Sequence, residues 1–241
     1  MRNSFKELLK TLLIAGSIAV FFRSIFFEPF NIPSGSMIPT LLVGDYLFVS
    51  KYSYGYSKYS FPFGLAPIED RVLYKTPKRG DVIVFRKPGD ETIDYIKRLV
   101  ALPNDTVQVK QGILYVNSKK AERIKTNIGV MKNIFGDEKL FTQYNEVFEG
   151  SNSHKIIESS DNDPFDDTIL FKVPPNHFFF MGDNRDNSRD SRTPEVGFVP
   201  KKNLIGKAKI IFFSHNSSAS IFEFWKWHKS IRFSRIGKAI E

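Results

Sequence analysis

Two hydroxyls and one amine are the side chains best placed to do chemistry in this sequence. Residues 33–40 (PSGSMIPT) set Ser34, Gly35 and Ser36 between two prolines. The prolines stiffen the backbone and the glycine lets it turn, which predicts a rigid, exposed turn presenting both hydroxyls. A serine hydroxyl is a weak nucleophile until a base takes its proton. His154, His177, His215 and His228 are scattered, and no Gly-x-Ser-x-Gly elbow occurs, so a Ser-His-Asp triad has no local support. The absence of cysteine removes thiol nucleophiles, disulfides, iron–sulfur clusters and Cys-ligated zinc. Residues 182–192 (GDNRDNSRDSR) are acidic enough to suggest a calcium loop. Counted from Asp183, the third position is Arg185 and the sixth Ser188, where such a loop needs an acid and a glycine. Neither a metal nor a cofactor is expected.

A base is available in residues 92–100 (TIDYIKRLV), which alternate as a strand. Period-2 alternation puts Ile93, Tyr95, Lys97 and Leu99 on one face, and Asp94, Ile96, Arg98 and Val100 on the other. Lys97 is then a lone cation among apolar neighbours, whereas Arg98 has Asp94 nearby. Burial disfavours a charged amine and drives its pKa down. A neutral lysine can deprotonate a serine hydroxyl without histidine. The same position also suits a lysine that snorkels off a sheet edge.

Short apolar runs must carry these groups. Residues 46–50 (YLFVS), 81–85 (DVIVF), 178–181 (FFFM) and 208–213 (AKIIFF) read as strands. Residues 106–110 and 113–117 read as a hairpin about Gln111-Gly112. With 41% hydrophobic residues and 24 Phe, core material is ample. The expectation is an all-β catalytic domain over residues 29–117 and 169–220. Residues 118–168 are rich in Ser, Asn, Lys and Asp, and are expected to form a polar, solvated, mobile insertion.

Ahead of the domain, residues 8–27 (LLKTLLIAGSIAVFFRSIFF) would span about 30 Å as a helix, the thickness of a hydrocarbon core. Arg23 and the Phe26-Phe27-Glu28-Pro29 sequence offer no small-x-small cleavage site, which favours an uncleaved anchor. Arg2 and Lys6 precede the span, Lys10 lies at its start and Glu28 follows it. Residues 1–28 are therefore assigned as a cytoplasmic stub and single transmembrane anchor, with everything after Phe30 outside. Of the net charge of +9, five units lie in residues 1–28 and 221–241, and no compact Lys/Arg block remains between them. A nucleic-acid partner is not expected. The tail, residues 221–241, mixes Phe222, Phe224, Trp225, Trp227 and Phe233 with Lys226, Lys229, Arg232, Arg235 and Lys238. That composition suits a lipid headgroup boundary, or a tail packed on the domain's own surface.

Taken together, the chain resembles the bacterial type I signal peptidases (leader peptidases), membrane-bound serine–lysine proteases. Four blocks carry the resemblance, in order behind the span: residues 32–41 (IPSGSMIPTL), 79–85 (RGDVIVF), 94–105 (DYIKRLVALPND) and 181–192 (MGDNRDNSRDSR), with Gly197-Phe198-Val199-Pro200 downstream. Ala101 and Asn104 stand where the family usually has Gly, in the turn after the lysine strand. The resemblance implies cofactor-free removal of signal peptides from exported preproteins at the bacterial cytoplasmic (inner) membrane, with cleavage after Ala-x-Ala-like ends. It implies Ser36 as nucleophile, Lys97 as general base, and an oxyanion hole of the Ser36 N–H and the Ser34 hydroxyl. Ser188 would aim Lys97, Asp190 and Arg192 would pair to brace their loop, and Gly182 would press close to the site. Apolar substrate walls fall to Phe30, Ile32, Met37, Leu41, Leu47, Val84, Tyr95 and Ile96. Other readings are a conjugation-type peptidase with one dedicated substrate, a self-cleaving repressor, and a non-catalytic membrane-tethered β-module. The membrane span, standing where a repressor has its helix-turn-helix, speaks against the second; the presence of both Ser36 and Lys97 speaks against the third.

Overall fold

The computed structural model describes residues 2–64, 66–132, 138–160, 163–216 and 223–241. Helix α1 (Arg2–Ile25) opens the chain, and its Phe5–Ile25 portion is long and apolar enough to cross a membrane. Strand β1 (Phe27–Asn31) begins almost at once, so the helix stops at Ile25 rather than running to residue 27. Pro29 supplies the reason, since it disfavours helical backbone in the residue before it. Glu28 then turns back to pair with Arg23 and with the buried Lys51.

The remaining strands are β2 (Asp45–Ser50), β3 (Val82–Lys87), β4 (Asp90–Ala101), β5 (Thr106–Lys110), β6 (Ile113–Val116) and β7 (Lys119–Lys120). They continue with β8 (Glu122–Lys132), β9 (Glu138–Val147), β10 (His154–Glu158), β11 (Phe171–Lys172), β12 (His177–Met181), β13 (Val199–Pro200) and β14 (Leu204–Ser214). Seven form one sheet in the order β1-β2-β14-β3-β4-β12-β13. A second sheet runs β11-β5-β6-β7 and a third β10-β9-β8. The all-β expectation holds for the domain, and each strand read from the sequence is present.

Strand β3 is apolar over Val82, Ile83, Val84 and Phe85 because both its faces are covered. Val82 and Val84 pack with Met37, Leu41 and Leu47, while Ile83 and Phe85 pack with Leu99, Phe178 and Phe180. Strand β4 changes character along its length. Residues 91–94 are exposed, whereas Lys97, Arg98, Leu99, Val100 and Ala101 are buried. Its buried end pairs with β3 on one side and β12 on the other. Among the described residues its exposed end is paired only to β3.

The expectation of a loose insertion at 118–168 is corrected. Strands β8, β9 and β10 form a continuous antiparallel sheet. That sheet is tied to the domain by Glu146, fully buried and paired with Arg185, and by the Ile157 N–H, which donates to the Asp183 carbonyl at 2.9 Å. Polar composition hid these strands because ladder hydrogen bonds come from the backbone, whatever the side chains are.

The tail also belongs to the fold. Ile231 bridges His215, Ala239 bridges Ile210, and Ile240 enters the core. Arg235 donates from Nε to Asp45 Oδ1 at 3.0 Å, and Arg232 approaches the same fully buried carboxylate at 3.7 Å. Those two cations are held by the protein. Trp225, Trp227 and Phe233 stay exposed, and Ile221 and Phe222 lie outside the described residues.

Candidate active site

The serine turn is exposed at Pro33 and Ser34, as its sequence suggested, but buried at Ser36 and Met37. Gly35–Met37 forms a single 3-10 turn in which Met37 is sunk in the core and Ser36 is 8% exposed. Asn184, in the loop after β12, clamps the turn. Its backbone N–H donates to the Ser36 carbonyl at 3.1 Å, and its Nδ2 donates to the Gly35 carbonyl at 3.0 Å. Gly182 lies against the same turn. A Cβ there would stand 2.5 Å from the Ser36 carbonyl oxygen and 2.2 Å from Ser188 Oγ, so no side chain fits.

Lys97 Nζ donates to Ser36 Oγ at 2.6 Å, and the lysine is only 4% exposed. Burial drives its pKa down to about 8, with the charges of Asp190 and Asp183 partly opposing the shift. Burial alone would raise both of those carboxyls. Arg192 and Arg98 instead hold them below the usual carboxylate range. Ile93, counted among the apolar neighbours of Lys97, is 40% exposed. Tyr95, with its ring 5.4 Å from the amine, and fully buried Leu99 are the strand neighbours that flank Lys97 on that face.

Arg98 is paired differently from the sequence expectation. It makes a bidentate pair with Asp183, two bonds of 2.8 Å, and Asp94 is matched with Arg86 at 3.1 Å. Asp94 lies in the exposed half of β4, whereas Asp183 arrives from another strand's loop at the buried half. Asp190 and Arg192 form a buried bidentate pair, and Asp190 also accepts the Gly182 N–H at 2.9 Å. Ser34 Oγ is 3.4 Å from Ser36 Oγ. Ser188 is buried beside these groups, but its Oγ makes no hydrogen bond, so the anticipated contact with Lys97 is not formed. Asn104, in the turn after β4, has φ 71°, a left-handed conformation that asparagine tolerates where glycine is common.

A groove of about 790 Å³ runs past Ser36 and Lys97. Phe30, Ile32, Val84, Tyr95 and Ile96 line it together with Ser34 and Ser188. Met37, Leu41 and Leu47, also assigned to the walls, are fully buried in the core instead. Phe165 and Asp186 line the groove without having been foreseen. Phe165 comes from the acid-rich end of the presumed insertion, and Arg192 stacks over its ring at 5.2 Å. No local pattern marks that contact. Asn184 lies inside a quoted motif, yet its role depends on which turn it faces.

A serine hydroxyl held against a desolvated amine in an apolar-walled groove is the equipment of a serine hydrolase that works without histidine. A family model described as "Signal peptidase, peptidase S26" matches residues 5–213. Signal peptidase I of Rickettsia typhi (strain ATCC VR-144 / Wilmington) is 40% identical over 238 residues, 92% of this chain and 88% of its own. Signal peptidase I of Rickettsia prowazekii (strain Madrid E) is 39% identical over the same shares, and that of Rickettsia bellii (strain OSU 85-389) is 36% identical over 94% and 83%. A solved signal peptidase I from Enterococcus faecalis V583 is 23% identical, covers 55% of this chain and 97% of its own, and superposes at a TM-score of 0.32, too loosely to argue from. The chain belongs to the signal peptidase family, peptidase S26, whose members are serine endopeptidases. Its apolar N-terminal helix anchors it to a membrane.

Proposed function

We propose that this protein removes N-terminal signal peptides from exported preproteins, with Ser36 as nucleophile and Lys97 as general base. The 2.6 Å contact between Lys97 Nζ and Ser36 Oγ carries the reading. With its pKa near 8, Lys97 is neutral in a substantial fraction of molecules at mildly alkaline pH. The neutral amine takes the Ser36 proton as Oγ attacks the scissile carbonyl, returns it to the leaving amine, and then activates the water that deacylates the enzyme. The Ser36 N–H and the Ser34 hydroxyl receive the developing oxyanion. The Asp190–Arg192 pair braces the loop that carries Ser188.

The substrate lies as an added strand between β1 and the half of β4 that is paired only to β3. Main-chain bonds hold it there, and the apolar walls from Phe30, Ile32, Val84, Tyr95 and Ile96 admit small side chains, hence cleavage after Ala-x-Ala-like ends. The membrane is the bacterial cytoplasmic (inner) membrane, with the N-terminus in the cytoplasm and the catalytic domain on the outer side. Incubating the purified protein with a secretory preprotein in detergent, and mapping the cut by mass spectrometry, tests the activity. A cut elsewhere than after the small-x-small end, or none, overturns it. Protease added outside spheroplasts should digest the catalytic domain; protection there overturns the orientation.

A further inference from the structure

Three carboxylates converge away from the serine–lysine contact. Glu158 ends β10, Asp166 lies in the loop that follows, and Asp186 lies in the turn after β12. Each places one oxygen within 4.8 Å of those of the other two. Glu158 and Asp166 are 3% and 1% exposed. Glu158 pairs through Oε2 with Arg123, but its Oε1 is buried without a hydrogen-bond partner. Asp186 divides in the same way. Its Oδ2 accepts the Ser159 N–H at 2.6 Å and the Ser160 N–H at 3.1 Å, while its Oδ1 is buried and unpartnered. Buried carboxylate oxygens ordinarily have a donor or a metal, and two of the three carboxylates that meet here each leave one oxygen with neither.

Charge points the same way. Arg123 is the guanidinium paired with this cluster, and Arg185 nearby is taken by Glu146. Two ligands about 2.4 Å from one ion stand at most about 4.8 Å apart, so the spacing suits a single ion touching all three groups. A set of anionic oxygens with no nitrogen or sulfur favours a hard cation.

We propose that Glu158, Asp166 and Asp186 bind one hard divalent cation of the calcium type, with Glu158 Oε1 and Asp186 Oδ1 among its ligands. The ligands come from three segments, so the failure of residues 182–192 to match a calcium loop has no bearing on this site. The ion joins β10 to the turn that leads into Ser188. Asn184, which clamps the serine turn, already bridges Ile157 of β10, and Phe165, next to Asp166, lines the groove. The cation therefore stiffens the groove wall that carries Phe165, Asp186, Asn187 and Ser188.

The test is calcium binding by the full chain in detergent, measured by equilibrium dialysis after EDTA treatment, together with thermal unfolding. One Ca²⁺ per chain and an unfolding temperature raised by several degrees at saturation are expected. Asp186→Asn, which keeps an oxygen for the Ser159 and Ser160 N–H groups, should weaken Ca²⁺ binding at least tenfold, as should Glu158→Gln. No stoichiometric binding at millimolar Ca²⁺, or undiminished binding in both variants, overturns the proposal. So does an unfolding temperature indifferent to Ca²⁺ and EDTA that rises on acidification from pH 8 to 6, which would mean that the carboxyls share a proton instead.

Discussion

Lys97 Nζ stands 2.6 Å from Ser36 Oγ across 61 residues of intervening sequence. Strand β4 places the lysine opposite Ile83 of β3, while Asn184 draws the serine turn down over it. The contact thus depends on three segments that meet only in the folded chain.

Ser36→Ala and Lys97→Ala should each reduce preprotein processing by more than about 10⁴-fold, because nucleophile and base act as a unit. Both variants should remain folded by circular dichroism. Lys97→Met, which removes a desolvated amine, should unfold no earlier than the parent. Near-normal processing by any of the three would sink the serine–lysine mechanism. Ser34→Ala should lose a smaller factor, about a hundredfold in kcat, from one missing oxyanion donor.

The pH dependence follows from burial of the same amine. Lys97 serves as a base only when deprotonated, so kcat/KM should rise with pH and level off above a midpoint near 8. An exposed lysine would give a midpoint near 10.4. A measured midpoint close to that value would show that the folded domain does not desolvate Lys97.

Gly182→Ala should damage the site from a distance. The added methyl would meet Ser188 Oγ and the Ser36 carbonyl at distances that atoms do not tolerate. Overpacking of this sort costs about 1–3 kcal/mol. The strain falls on the serine turn, so processing should drop more than unfolding temperature does. Equal activity in Gly182→Ala would mean that the turn has room to move.

The docked tail makes a stability prediction. Arg235→Ala removes the main partner of fully buried Asp45 and should destabilise the domain by about 3 kcal/mol, read from urea unfolding. A tail that served only a membrane surface would leave unfolding in detergent unchanged.

Strand positions were legible because alternation and apolar runs are local properties. The anchor was legible from hydropathy and length, missing its true end by two residues where Pro29 forces extended backbone. Strands β8 to β10 were not legible, since backbone ladders and the buried Glu146–Arg185 pair hold them and the buried Ile156 and Ile157 make too short an apolar run to signal a strand. The tail was ambiguous for a related reason: its aromatics and cations suit lipid and protein equally, and the docking of Arg235 depends on Asp45, 190 residues away.

Residue order alone determined the apolar helix, the all-β character of the domain, and the choice of Ser36 and Lys97 as the groups worth pairing, since each rests on periodicity or on a short motif. Tertiary structure decided what those groups face. Alternation along β4 gives a side chain its direction but not its partner, so Arg98 meets Asp183 rather than Asp94. It also decided that Met37, Leu41 and Leu47 sit in the core while Phe165 lines the groove. Burial, and with it the lowered pKa of Lys97, is a property of everything packed around a site, and most of that packing comes from residues far away in the chain.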